Sequence, residues 1–211
     1  MSDAPTGPTS VRYVALGDSY TIGTAVLPAE RWPDRLVAAL AEGPVRLGLI
    51  ANLAVDGSTT LDVLEHQLPE VTRHRPGFVS LLIGVNDVVR DVAPGTYAGR
   101  LGAIVDGLAA AVGAGRVLLV TTPDYTVTPA GADYGDPVVR ARTIRAANRT
   151  MAGLATERGI ALADVHALSL EVTDDPSLVA ADGLHPSGRQ YGRWVTERIL
   201  PVVRPMLGLD A

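Results

Sequence analysis

A serine, a histidine and an aspartate can together transfer an acyl group, and this chain carries such a set. Ser19 follows Gly17-Asp18, and Asp182 stands three residues before His185. A serine hydroxyl is a weak nucleophile until a base within hydrogen-bond reach takes its proton. An imidazole does so when one ring nitrogen faces the serine and a carboxylate holds the other, fixing tautomer and orientation. Asp182 supplies that partner locally, and Pro186-Ser187 puts His185 at the start of a helix. The reaction also needs N–H donors aimed at the oxygen that becomes negative. Candidates for this oxyanion hole are the Ser19 N–H, the Gly57 N–H and the Asn86 side-chain amide. Glycine at 57 lets the backbone approach a substrate closely.

Each piece also has a plainer reading. Gly17-Asp18-Ser19 suits a turn or a phosphate-cradling nest. Asp182 reads as a helix cap with His185 at the surface, Gly57 as an Asp-Gly-Ser turn, and Asn86 as a loop or helix cap. Asp164 and His166 form a second Asp–His pair. Asp62 and His66, at i and i+4, match a metal-binding spacing with no third ligand in view. His74 reads as surface, and Asp18 and Asp87 as organisers of their own loops. Tyr20, Asp124, Tyr125 and Tyr134 are candidates to line the mouth of a site, the last three within the longest irregular stretch, 123–137.

The elements that must position these residues follow from periodicity. Short apolar runs at 11–16, 45–50, 78–83, 116–121 and 160–163 read as five strands. The run FVSLLI is nearly continuous in apolar residues, as a strand buried on both faces of a parallel sheet requires. Helices are expected at about 33–42, from Ser58 as N-cap through 59–68, and at 97–112, 138–158 and 187–203. This alternation predicts an open parallel sheet with helices on both faces and ligands beyond the carboxyl ends of the strands. Gly17-Asp18-Ser19, Gly57, Asn86 and Asp182–His185 all follow strands, so such a sheet gathers them on one edge.

Composition narrows the classes. The 211 residues suit one domain, expected over 11–211 behind a mobile lead-in at 1–10. A hydrophobic share of 47% against 19% charged is that of a globular protein. The net charge of -5 argues against nucleic acid, whose phosphates need a basic face. With no cysteine there are no disulfides, thiolate metal sites or thiol nucleophiles. No apolar run approaches the roughly 20 residues of a membrane span. The start, MSDAPTGPTS, lacks the basic and apolar regions of a secretory signal. A cytoplasmic protein is expected, the alternative being a signal removed beforehand.

Four segments, in order, resemble the conserved blocks of the SGNH/GDSL hydrolases: VALGDSYTIG (14–23), NLAVDGSTT (52–60), LLIGVNDVV (81–89) and DGLHPSGRQY (182–191). The resemblance implies Ser19 as nucleophile, Gly57 and Asn86 as oxyanion donors, and Asp182 and His185 as the rest of the triad. It implies a flavodoxin-like three-layer α/β/α fold with a five-stranded parallel sheet. It also implies hydrolysis of a small-molecule ester with no metal and no cofactor. Tyr20 departs from the pattern, standing where the family often has Leu. Short-chain esters, acetylated carbohydrates, lysophospholipids and thioesters all fit this plan. A non-catalytic phosphate- or nucleotide-binding module is the alternative from another class.

Overall fold

The computed structural model describes residues 8–209. β1 (Thr9–Gly17) is followed by the short α1 (Ser19–Ile22), then α2 (Trp32–Ala39) and β2 (Val45–Asn52). α3 (Thr60–Asp62) runs through a π-helical segment, Val63–Gln67, into α4 (Leu68–His74), and β3 (Phe78–Leu82) follows. Next come α5 (Val85–Val89), α6 (Pro94–Val112) and β4 (Val117–Val120). Beyond β4 lie α7 (Pro137–Arg158), β5 (Ala161–Ala163) and α8 (His166–Ser169). α9 (Gly188–Trp194), a second π-helical segment and α10 (Leu200–Met206) complete the order.

The five strands are all parallel, in the order β2-β1-β3-β4-β5. The chain steps outward from β1 to β2 and then back across β1 to β3. The order of connection therefore reverses between β1 and β3, and such a switch point is where open α/β sheets form their binding crevice. Right-handed crossovers place α2 on one face and α4, α6 and α7 on the other, and α9 and α10 return to the face of α2. The result is the expected three-layer α/β/α architecture.

The central strands are buried throughout. All five residues of β3 are inaccessible, as are Tyr13 to Leu16 of β1. The polar atoms inside this layer pair with each other: the Tyr13 and Ser80 hydroxyls lie 2.7 Å apart across β1 and β3. β1 is longer than expected, because Thr9 and Ser10 pair with Val45 and Arg46. Of the expected lead-in, residues 1–7 lie outside the described residues. The expected cap of the helix after β2 is also off by one. Thr59 is the N-cap, in a capping box with Asp62, while the Ser58 hydroxyl faces Gln67.

Candidate active site

The loop after β1 is held from several sides. Gly17 has φ +148, a region L side chains rarely enter, and a Cβ there would lie 2.2 Å from the Leu82 carbonyl oxygen. Gln67, buried in the π-helical segment, grips the same glycine twice. Its Oε1 accepts the Gly17 N–H at 2.9 Å and its Nε2 donates to the Gly17 carbonyl at 2.8 Å. Asp18 caps α1 by accepting the Tyr20 N–H at 3.1 Å. Asn52 Nδ2 donates to the Thr21 carbonyl at 2.9 Å. Ser19 thus opens a helix on a fixed turn at the carboxyl end of the sheet.

His185 sits on a loop with equally little freedom. Its Nδ1 lies 2.6 Å from Asp182 Oδ2, while Asp182 Oδ1 accepts the Leu184 and His185 N–H groups at 3.0 Å each. Burial pushes the Asp182 carboxyl up, but the imidazole and the two N–H donors outweigh it and hold the group below the ordinary range. An isolated antiparallel bridge joins Val179 to Pro186, and Ala180 N–H donates to the His185 carbonyl at 2.8 Å. Ser187 then caps α9 by accepting the Gln190 N–H. Tyr20 packs edge-on against the imidazole, with ring centroids 5.7 Å apart. The departure at Tyr20 therefore buttresses the histidine.

The three oxyanion candidates are differently placed. Asn86, in the first turn of α5, uses one amide proton on the Ser58 carbonyl at 2.9 Å, leaving the second available. Gly57 has φ +76, and its carbonyl accepts from Arg90 at 2.9 Å. Among the described residues no protein acceptor takes the Ser19 or the Gly57 backbone N–H. Asp87 stands beside Asn86 but faces inward, where it accepts the Thr60 N–H at 2.9 Å and the Thr60 hydroxyl at 2.5 Å. It locks the second block to the third.

Ser19, Asn86 and His185 line one cleft of about 440 Å³, its mouth included. Val85, Val89 and Leu184 supply its apolar lining, and Tyr20, Tyr125 and Tyr134 its aromatic one. Tyr134 stacks edge-on against Tyr125 at 5.8 Å. The sequence matches the family of GDSL-like lipases and acylhydrolases over residues 15–193. The chain belongs to that family. Similar solved structures include an acetylxylan esterase from Geobacillus stearothermophilus, at 22% identity and TM-score 0.68, covering 96% of each chain. TesA is similar at 24% identity and TM-score 0.69, over 92% of this chain and 99% of its own. A lipolytic protein of the G-D-S-L family from Veillonella parvula is 18% identical with TM-score 0.71, covering 90% of this chain and 97% of that one. No curated protein matches the sequence.

Other expectations for this GDSL hydrolase sort differently. Gly57 does not line the cleft itself but an adjoining hollow, which meets the cleft at Asp56. Asp124 does not line the cleft either. Its carboxylate turns inward to accept the Thr126 N–H and hydroxyl at 3.0 and 2.6 Å, forming an Asx turn. Asp164 and His166 line a separate groove with Arg145 and Arg149, and Asp164 accepts the Thr121 hydroxyl at 2.8 Å. The Asp62 carboxylate is taken up by Thr59. Among the described residues no group of three or more metal-ligating side chains assembles. None of the helices among them is long and apolar enough to cross a membrane.

The most perturbed carboxyl group near the site is Asp18. Burial pushes it up to about 8, the Tyr20 N–H pulls the other way, and Asp87 and Asp56 add to the rise. Its Oδ2 has no protein partner, and its Oδ1 organises the loop by accepting the Tyr20 N–H. Gln67, Thr60 and Arg140 are the supporting residues that sequence reasoning missed.

Proposed function

We propose that this family member hydrolyses small carboxylic esters through Ser19, His185 and Asp182. The observation that carries the reading is a histidine whose Nδ1 is tied to a carboxylate at 2.6 Å while its ring lines the same cleft as Ser19. Asp182 fixes the tautomer that leaves Nε2 free to accept the serine proton. Ser19 Oγ attacks the ester carbonyl as Nε2 takes that proton, and Asp182 stabilises the imidazolium. The Ser19 N–H, the Gly57 N–H and the free proton of Asn86 Nδ2 receive the oxyanion. The imidazolium protonates the departing alcohol, and water repeats the sequence on the acyl-enzyme to release the acid. Among the described residues no hydrogen bond joins Ser19 Oγ to His185. Such contacts tighten when substrate binds.

A second reading concerns the alcohol. The adjoining hollow, about 500 Å³, is lined by Asp56, Asp62, His66 and Arg90, groups suited to hydroxyls. An acetyl ester on a carbohydrate would place its acyl end in the cleft and its sugar there. The deciding experiment is Ser19→Ala assayed on p-nitrophenyl acetate beside an acetylated sugar. Turnover should fall to the uncatalysed level on both, and a serine-directed phosphonate should label only the wild type, at Ser19. Hydrolysis by the variant near the wild-type rate would overturn the assignment.

A further inference from the structure

Arg140, in the first turn of α7, ties together two segments that line the cleft, the end of α5 and the turn at Tyr134. Its side chain is only 14% exposed. Nε donates to the Tyr134 carbonyl at 3.1 Å, and Nη1 to the Val88 carbonyl at 2.6 Å. Nη2 reaches the Val89 carbonyl at 3.4 Å, and the same two nitrogens grip both Asp91 oxygens at 2.6 and 3.1 Å. Val88 and Val89 close α5, the helix that presents Val85, Asn86 and Val89 to the cleft. Tyr134 lines the same cleft. One guanidinium therefore holds both of these cleft-lining segments.

The surroundings are shaped to this span. The Val88 carbonyl accepts the Asp91 N–H at 3.2 Å and still has a second lone pair for the guanidinium. Asp91 takes a left-handed conformation, φ +53, as it meets the guanidinium. Gly135 has φ +117, and a Cβ there would come within 2.7 Å of Arg140 Nε. The Asp91 carboxylate is exposed, so the ion pair by itself contributes little. What matters is the fork: a guanidinium presents five donors in a fixed plane, whereas an ammonium offers three from one nitrogen.

We propose that Arg140 is a positioning residue that sets the distance between α5 and Tyr134, and with it the length of acyl chain the cleft admits. The proposal rests on the ester hydrolase reading and adds a determinant of its acyl-length specificity. Tyr134 stacks edge-on against Tyr125, and both line the same cleft as Val85 and Val89 of α5. Without the guanidinium, Tyr134 and the end of α5 lose their common anchor and the cleft widens. The catalytic groups are held by other bonds and stay in place.

The test compares kcat/KM for p-nitrophenyl hexanoate and acetate in the wild type, Arg140→Ala, Arg140→Lys and Tyr134→Ala. Pocket discrimination of this kind is worth tens-fold per change of fit, so the hexanoate-to-acetate ratio should rise roughly tenfold in all three variants. Arg140→Lys carries the test if Arg140→Ala does not fold, because it keeps a cation near Asp91 and loses only the span to Tyr134. A residue that merely stabilises would lower the melting temperature and leave the ratio alone. An unchanged or lower ratio in folded Arg140→Lys, with Tyr134→Ala raising it, overturns the proposal. Activity in Ser19→Ala would instead overturn the hydrolase reading, so the two failures are distinguishable.

Discussion

Replacing Asp182 by Asn separates the chemistry of the proposed triad from its architecture. The amide oxygen can still accept the Leu184 and His185 N–H groups, which Asp182 Oδ1 now takes at 3.0 Å each. The loop should therefore keep its shape. The amide nitrogen, however, would face His185 Nδ1 across the present 2.6 Å contact, and a donor there forces Nδ1 to be the acceptor. Nε2 must then carry the proton, so the ring cannot take one from Ser19. A wrong tautomer in a Ser-His-Asp site costs about 10⁴ in kcat, or about 5 kcal/mol of transition-state stabilisation. Asp182→Ala should cost as much in kcat but also leave the imidazole and two N–H groups unpaired, a further 1–3 kcal/mol or so of stability. The assay is steady-state hydrolysis of p-nitrophenyl acetate beside urea denaturation. If Asp182→Asn keeps a tenth or more of wild-type kcat, or loses stability like Asp182→Ala, the tautomer argument fails. A parallel loss in Asp164→Asn alone would move the base to His166.

Two further perturbations probe the loop that carries Ser19. Gly17→Ala should destabilise the fold by about 2–6 kcal/mol, because it combines a forbidden φ with a clash against the Leu82 carbonyl. Urea denaturation reads this, and a loss below about 1 kcal/mol would mean that the turn relaxes freely. Asp18 gives a pH dependence whose sign follows from its raised pKa, about 8 in the folded chain against the ordinary 3.8. Between those values the folded state holds a proton the unfolded state has released, so this carboxyl makes stability fall as pH rises through the window. Asp18→Asn cannot ionise and should flatten that fall between about pH 5 and pH 8, measured by chemical denaturation. Equal slopes in the two proteins would show that Asp18 does not titrate there. Asp182 works in the opposite sense, since its lowered carboxyl contributes stability that is lost on acidification.

Most of the fold was legible because parallel α/β sheets have a loud signature. β3 is apolar at nearly every position since both its faces are covered, and its boundaries follow directly. The residues that gather at the carboxyl edge were legible for the same reason: strand order, not sequence distance, decides what meets there. Local polar geometry was harder. Asp124 sits in a long loop, and a loop carboxylate reads as a site wall, yet Asp-x-Thr is also an Asx-turn pattern, and the turn took the side chain. Thr59 rather than Ser58 caps the next helix because Asp62 lies three residues beyond Thr59 and completes the box.

The residues that hold the site in place left a different kind of signal, which periodicity alone reads as noise. Thr60, Val63, Gln67 and Val71 fall on one stripe of the helix after β2, and all four are buried. A glutamine on such a stripe is costly unless something inside accepts and donates, and here Gly17 does both. Arg140 follows the same logic on α7, standing one turn before Ile144 on the stripe that continues through Ala147, Met151 and Ala155. A guanidinium at the inward end of an apolar stripe must find acceptors, and the carbonyls that close α5 and the cleft wall supply them. Polar residues that break an apolar stripe are thus where a sequence shows the scaffold of a site. The proposed catalytic residues show its chemistry, whereas Gln67 and Arg140, which hold the site, lie outside the four blocks that carry them.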